Sequence, residues 1–84
     1  MSSDRFIIGL LDAVIAEWEV GDVKFLADVK DEVIAEAARR AGGNADDIEL
    51  LDSDEAAIIR YLDKHPDVQR ATFGNPALPS WKLR

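Results

Sequence analysis

The first helix that the sequence predicts carries more apolar surface than one buried face can hold. Over residues 4–19, at about 100° per residue, its large apolar side chains cover an arc of roughly 200°, whereas a surface helix needs only about 100°. A chain of 84 residues has a small core with which to cover such a helix. We therefore expect cover on two sides, from the rest of the chain or from a second chain. The arc consists of Phe6, Ile7, Ile8, Leu10, Leu11, Val14, Ile15 and Trp18.

Helix-breaking residues divide the chain into an all-α, compact bundle of three to four helices. Gly21 ends the first helix, and Gly42 and Gly43 stop a second helix that is rich in Ala, Glu and Arg. Pro66 ends the third helix and suits the first position of a short fourth one. Two further prolines predict an extended C-terminal tail. The expected helices cover about residues 4–19, 22–41, 53–64 and 66–73 of an acidic helical domain, residues 1–74, and the tail covers residues 75–84.

The charge of the chain is strongly negative and unevenly distributed. The formal net charge is −7, and residues 12–55 hold 14 acidic against 4 basic side chains. Residues 56–84 hold 2 acidic and 5 basic side chains, so a mildly basic end follows an acidic body. A protein that binds nucleic acid usually presents a basic face. Nucleic acid is therefore an unlikely partner, and a protein with a basic surface is a better candidate.

The residue types that usually build an active site or a metal site are scarce. The chain has no cysteine and one histidine, His65, which cannot form a metal site alone. The acidic run at residues 46–55 lacks the glycine and glutamate spacing of an EF-hand loop. We therefore expect no catalytic residue, no cofactor and no metal, and the protein is not expected to be an enzyme.

No membrane contact and no secretory leader are expected from the beginning of the chain. The uncharged apolar stretch at residues 6–11 is far shorter than the ~20 residues that a membrane span needs. An acidic residue interrupts the apolar region that a signal peptide would require, and no small-residue cleavage site follows it. We therefore expect a cytoplasmic protein.

These observations favour a small non-catalytic regulator, adaptor or inhibitor that acts by binding another protein. The excess apolar arc of the first helix and the tail, with its aromatic and basic side chains, are the expected docking elements. The tail could equally fold back onto the first helix and complete the core. A homodimer is expected, because it is the commonest soluble oligomer. The expected partner-binding residues are Phe6, Ile7, Leu11, Ile15, Trp18, Leu78, Trp81, Leu83 and Arg84.

Two other functions remain open. A dimeric helical DNA-binding transcriptional regulator would use the third helix as a recognition helix, with Arg60 and Lys64 toward the DNA. The Asp52-Ser53 pair at the start of that helix, in a small acidic helical chain, resembles acyl carrier proteins. The resemblance implies that Ser53 bears a phosphopantetheine arm. The family has a leucine after this serine and this chain has Asp54, so a helix-capping role for Ser53 is the alternative.

Overall fold

The fold is an α+β arrangement of three helices and a small antiparallel sheet. The computed structural model describes residues 4–71 and 79–84. The expected all-α bundle is therefore wrong, although helices predominate. In chain order the elements are α1 (Asp4–Ala16), β1 (Val23–Phe25), α2 (Leu26–Ala41), a 3₁₀ turn (Ala45–Asp47), α3 (Asp52–Lys64), β2 (Val68–Arg70) and β3 (Ser80–Leu83).

The C-terminal strand lies at the centre of the sheet. The strand order is β1–β3–β2, and both pairs are antiparallel. Trp81 of β3 is opposite Lys24 on one side and Arg70 on the other. The segment that the sequence predicts as a tail therefore supplies the central strand of the sheet. Because β1 and β2 do not pair with each other, β3 is the strand that connects them.

The fourth helix expected at residues 66–73 is replaced by strand β2. Its residues pair with β3, and the hydrogen bonds continue beyond both ends of the strand. The Ala71 N–H donates to the Ser80 carbonyl at 2.9 Å, and the Arg84 N–H donates to the Asp67 carbonyl at 2.9 Å. A three-residue strand is too short to show alternation in the sequence. Pairing with residues more than ten positions away overrides the local helix signal. Residues 72 and 73 of the expected helix lie outside the described residues.

The boundary between the first two helices also differs from expectation. Helix α1 ends at Ala16, not at residue 19, and α2 begins at Leu26, not at residue 22, because residues 23–25 pair with β3. The Leu26 N–H continues this pairing by donating to the Pro79 carbonyl at 3.1 Å. Helix α2 ends at Ala41, as predicted, and Gly42 follows it with a φ of 68°, which glycine adopts at little cost.

Helices α2 and α3 begin with the same type of cap, which the sequence did not reveal. In each, an apolar residue precedes the helix, and an aspartate three positions later accepts its backbone N–H. Phe25 donates to Asp28 Oδ2 at 3.1 Å, and Leu51 donates to Asp54 Oδ2 at 2.9 Å. Each carboxylate satisfies an N–H group near the helix start and lies where the helix dipole favours negative charge. Asp52 and Ser53 thus belong to the first turn of α3.

Helix α1 is covered on both sides by its own chain. It contacts α2 and α3, and its apolar arc joins residues of both helices and β3 in one core. Each fully buried large side chain contributes about 1.5–3 kcal/mol to stability. Among the described residues, no helix is long and apolar enough to cross a membrane. The fully buried apolar side chains of this core are Ile7, Leu10, Leu11, Val29, Val33, Ile58, Leu62, Val68 and Trp81.

We expect Trp81→Ala to abolish cooperative folding. Trp81 is 0% exposed in the central strand, and removing a buried tryptophan side chain costs about 3–5 kcal/mol. A domain is stable by only about 5–15 kcal/mol in total, and one of this size lies near the lower limit. Circular dichroism during thermal unfolding measures the effect. Lys82→Ala, on the same strand and half-buried, is the control and should unfold close to the wild type. Equal melting temperatures for the two variants would contradict the central role of Trp81.

Candidate functional site

An open groove lies between the C-terminal end of α1 and the end of the sheet. We call it the Trp18 groove, and its volume is about 390 Å³. It brings together four of the nine partner-binding residues that the sequence predicts, from positions that are more than sixty residues apart in the chain. The lining residues are Ile15, Ala16, Trp18, Val20, Asp67, Leu83 and Arg84.

The indole of Trp18 is held in the groove from the side of α2. Its Nε1–H donates to Glu32 Oε1 at 2.9 Å, and the ammonium group of Lys24 lies 3.5 Å from the other oxygen of the same carboxylate. The N–H is the only polar group of a tryptophan side chain. Because Glu32 satisfies it, Trp18 offers only apolar ring atoms to the groove. Trp18 and Ile15 are 7% and 8% exposed, so they form the floor.

The opposite wall of the groove is the end of the β2–β3 pair. Leu83 is opposite Val68, and the backbone hydrogen bond from Arg84 to Asp67 closes this end of the ladder. Asp67 and Arg84 themselves have exposed side chains. The wall is fixed because strand β3 is anchored in the core, whereas the side chains at its end are free to contact a ligand.

Strand β3 is anchored to α3 through Asp63. One oxygen of this carboxylate accepts the Trp81 Nε1–H at 2.9 Å and the Arg70 Nε–H at 3.0 Å. The other accepts from the second guanidinium nitrogen of Arg70 at 2.9 Å. The guanidinium also lies 5.3 Å from the centre of the Trp81 ring, within cation–π range. The hydrogen bonds from Arg70, and then that from Trp81, hold the pKa of Asp63 below its usual value.

The Trp18 groove is lined by one carboxylate and one guanidinium group, and two further carboxylates lie on the turn beside it. The turn that carries Trp18 and Val20 also carries the exposed residues Glu19 and Asp22, and Asp67 lies on the opposite wall. None of these three carboxylates forms an ion pair with another described residue. Arg84 supplies the only cation among the lining residues that the structure describes. Carboxylates around an apolar floor favour a ligand that combines an apolar side chain with basic ones.

The other predicted partner-binding residues lie outside this groove. Ile7, Leu11 and Trp81 are fully buried in the core, and Phe6 is exposed on α1. Leu78 lies outside the described residues. Sequence reasoning missed three of the lining residues, Ala16, Val20 and Asp67. In the sequence, Val20 is flanked by Glu19 and Gly21 and has the pattern of a loop residue. The fold shows that it lines the same groove as Trp18.

A second groove lies between α1 and α3. We call it the α1–α3 groove, and its volume is about 180 Å³. Tyr61 lines it and donates a hydrogen bond to Asp12 of α1. This bond, with partial burial and the nearby negative charge, raises the pKa of Tyr61 to about 12, so the phenol stays protonated at neutral pH. The lining residues are Ile8, Ala57, Arg60, Tyr61 and Lys64.

Three arginines outside the predicted recognition helix are engaged in ion pairs. Arg39 and Arg40 both bind Glu36 of their own helix, Arg39 at 2.7 Å and Arg40 at 3.1 Å. Their hydrogen bonds lower the pKa of Glu36. Arg70 is bound to Asp63, as described above. The first turn of α3, which would approach the bases, is acidic at Asp52, Asp54 and Glu55 and would repel phosphate groups.

The remaining sequence candidates lie at helix ends. Ser53 is exposed in the first turn of α3. His65 follows α3, and its Nδ1 accepts the Asp67 N–H at 3.1 Å, while its ring packs edge-on against Tyr61 with centres 5.5 Å apart. Within residues 4–71 and 79–84 there is no group of three His, Asp or Glu side chains placed to hold a metal ion.

Comparison of the chain with protein-family models, with curated proteins and with solved structures found no match.

We expect Asp63→Ala to weaken the fold and to reduce its sensitivity to acid. The change leaves the Trp81 N–H without its acceptor, at a cost of about 1–3 kcal/mol. The stabilisation from the ionised Asp63 is present above the pKa of the unfolded carboxyl, about 4. It is lost as pH falls through the lower pKa of the folded protein. Urea unfolding between pH 7 and pH 2.5 measures both effects.

Asp63→Asn separates the two contributions of Asp63. The amide oxygen can still accept the Trp81 N–H, but the charge facing Arg70 is gone. We expect a smaller loss of stability at pH 7 than in Asp63→Ala, with the same reduced acid sensitivity. An acid profile equal to that of the wild type in both variants would show that Asp63 does not contribute in this way.

Proposed function

We propose that this protein is a small non-catalytic regulator or adaptor that binds a segment of another protein in the Trp18 groove. The observation that carries the proposal is the combination of an apolar floor with an exposed apolar rim. Trp18 and Ile15 line the floor, while Val20 is 78% exposed at the edge. A ligand can therefore bury new apolar surface without any rearrangement of the core.

The energetics favour an apolar anchor with basic neighbours. Covering Val20 and the half-buried Leu83 contributes at most about 1.5–3 kcal/mol for each side chain. This is modest beside the cost of association, so the ligand must also bury an apolar side chain of its own. The carboxylates of Glu19, Asp22 and Asp67 increase the rate of encounter with a basic ligand and select its orientation.

The engagement of His65 supports a non-catalytic role. His65, the only histidine, uses Nδ1 to accept a backbone N–H and packs against Tyr61. A histidine that acts as a general base must lie within hydrogen-bond distance of the group whose proton it removes. The Trp18 groove is lined by apolar side chains and by two charged ones that frame it.

Affinity capture with matched variants tests the proposal. The wild type, Val20→Glu and Leu51→Glu are immobilised and exposed to native lysate of the source cells. Both changes replace an exposed apolar side chain with glutamate, but Leu51, 51% exposed, lies at the start of α3 and does not line the groove. We expect at least one protein to be captured by the wild type and by Leu51→Glu and to be lost with Val20→Glu. Circular dichroism confirms that each variant is folded.

Two outcomes would contradict the proposal. One is capture of the same proteins by Val20→Glu as by the wild type, and the other is the absence of any specific capture.

The homodimer and the cytoplasmic location expected from the sequence stay predictions. Light scattering of the purified chain tests the first. Most of the α1 arc is buried by α2, α3 and β3, which leaves less apolar surface for a second chain to cover.

Nucleic-acid binding is the second candidate, and the order of elements favours it. Helix, strand, two helices and two strands, with β1 and β2 flanking β3, is the order of winged helix-turn-helix domains. In that arrangement α3 would be the recognition helix. The likeness is one of topology, and a fold does not establish a function. The ten residues between α2 and α3 also exceed the short turn typical of the motif.

We expect no mobility shift of a random-sequence DNA duplex at low salt, even at high protein concentration. The net charge of −7 and the acidic first turn of α3 oppose contact with phosphates. A salt-sensitive shift that is lost in Arg60→Ala and Lys64→Ala would replace the protein-binding proposal with the DNA-binding one. Lys82→Ala, which removes one positive charge from β3, is the matched control.

A further inference from the structure

We propose that the segment held in the Trp18 groove is not uniformly basic, and that it carries one basic and one acidic side chain beside its apolar anchor. The proposal rests on the function proposed above and names the chemistry of the partner at that site. Two charged residues are among those that line the groove, Asp67 and Arg84. The basic side chain of the segment binds Asp67, and the acidic one binds Arg84.

Asp67 and Arg84 lie side by side at the end of the sheet. The register that pairs Val68 with Leu83 places them opposite each other, and the Arg84 N–H donates to the Asp67 carbonyl at 2.9 Å. Side chains of opposite residues lie on the same face of a sheet, with Cβ atoms about 4.5–5.5 Å apart. Because the backbone holds both residues, their side chains start at a fixed separation that a ligand can match.

Both charges are available to a ligand. The two side chains are exposed, and neither forms an ion pair with another described residue, whereas Arg70 of the same sheet binds Asp63 at 2.9 Å. An ion pair between two exposed side chains adds little stability. A ligand that offers a partner to each of Asp67 and Arg84 therefore replaces any contact between them at little cost.

The apolar floor requires the anchor to lie close to both charges of the segment. Ile15 and Trp18 line the same groove as Asp67 and Arg84, and the polar Nε1–H of Trp18 is engaged by Glu32. On a helix, side chains four positions apart have Cβ atoms about 5–6 Å apart, and a side chain three positions on lies on the same face. A helical segment with glutamate, leucine and lysine at positions i, i+3 and i+4 therefore presents an acid, an anchor and a base at about the spacing that the groove offers.

Segments that carry charges of one sign fit this groove less well. A second basic side chain would lie beside Arg84, and a second acidic one beside Asp67, and like charges at this distance repel each other. Glu19 and Asp22 on the adjoining turn further oppose a wholly acidic segment. Charge complementarity therefore selects a segment with both charges and fixes its orientation.

The experiment titrates three helical peptides into the full chain labelled with ¹⁵N. All three carry the same leucine. The two charged positions, four residues apart, hold glutamate and lysine in the mixed peptide, two lysines in the second peptide and two glutamates in the third. We expect the mixed peptide to shift the amide signals of Trp18, Val20 and Arg84 in a saturable manner and to bind at least about threefold more tightly than either of the others. Rising salt should reduce this preference.

Variants of the two charged residues should change which peptide binds best. Arg84→Glu presents two carboxylates and should favour the peptide with two lysines, whereas Asp67→Lys presents two cations and should favour the peptide with two glutamates. Arg84→Lys keeps the charge and should keep the preference for the mixed peptide. Lys82→Glu makes the same charge change as Arg84→Glu on β3, outside the lining residues, and should also keep it. Circular dichroism confirms that each variant is folded.

Several results would overturn the proposal. These are the absence of saturable shifts with the mixed peptide, equal affinities for the three peptides, and an unchanged preference in both Arg84→Glu and Asp67→Lys. Equal affinities that are all lost with Val20→Glu would overturn the charge requirement and leave the Trp18 groove as a docking site. Shifts confined to other residues and unaffected by Val20→Glu would contradict both proposals.

Discussion

The requirement to cover α1 on both sides determines the arrangement of the other elements. An apolar arc of about twice the usual width cannot be buried by a single neighbouring helix, so α2 packs on one part of it and α3 on another. The remaining cover comes from Trp81, which lies in the same core. Because Trp81 belongs to β3, the sheet must be present for the core to be complete. The hydrogen bonds from Trp81 and Arg70 to Asp63 then tie this sheet to α3.

The two grooves lie where this cover is incomplete. At the C-terminal end of α1, Ile15 and Trp18 are buried, but the turn that follows leaves Val20 exposed beside the end of the sheet. Along the side of α1, the small Ala57 leaves space between Ile8 and Tyr61. Both grooves therefore use the same helix as one wall. The charged residues that line the first groove are Asp67 and Arg84, and those that line the second are Arg60 and Lys64.

This small domain has two open grooves on its surface, both beside α1. Its core is small, so affinity must come from a few anchors in preformed grooves. The ion pairs of Arg39, Arg40 and Arg70 reduce the number of cations available for phosphate contacts, and the first turn of α3 adds negative charge. These features favour contact with proteins over contact with nucleic acid.

The sequence by itself determined the three helices and the residues that need burial. Periodicity over ten or more residues identifies α1, α2 and α3, and the excess of apolar residues in α1 indicates that it needs cover on two sides. Four of the residues that the sequence predicts to bind a partner, Ile15, Trp18, Leu83 and Arg84, lie at one groove, and their role in binding stays a prediction. Only the tertiary structure decided what covers α1. The strands Val23–Phe25, Val68–Arg70 and Ser80–Leu83 are too short to have a period, and each is stabilised by residues distant in the chain. Only the tertiary structure also shows that Val20 and Asp67 line a groove and that space is left above Ala57. A groove depends on the distance between two elements, and the residues of one element do not determine that distance.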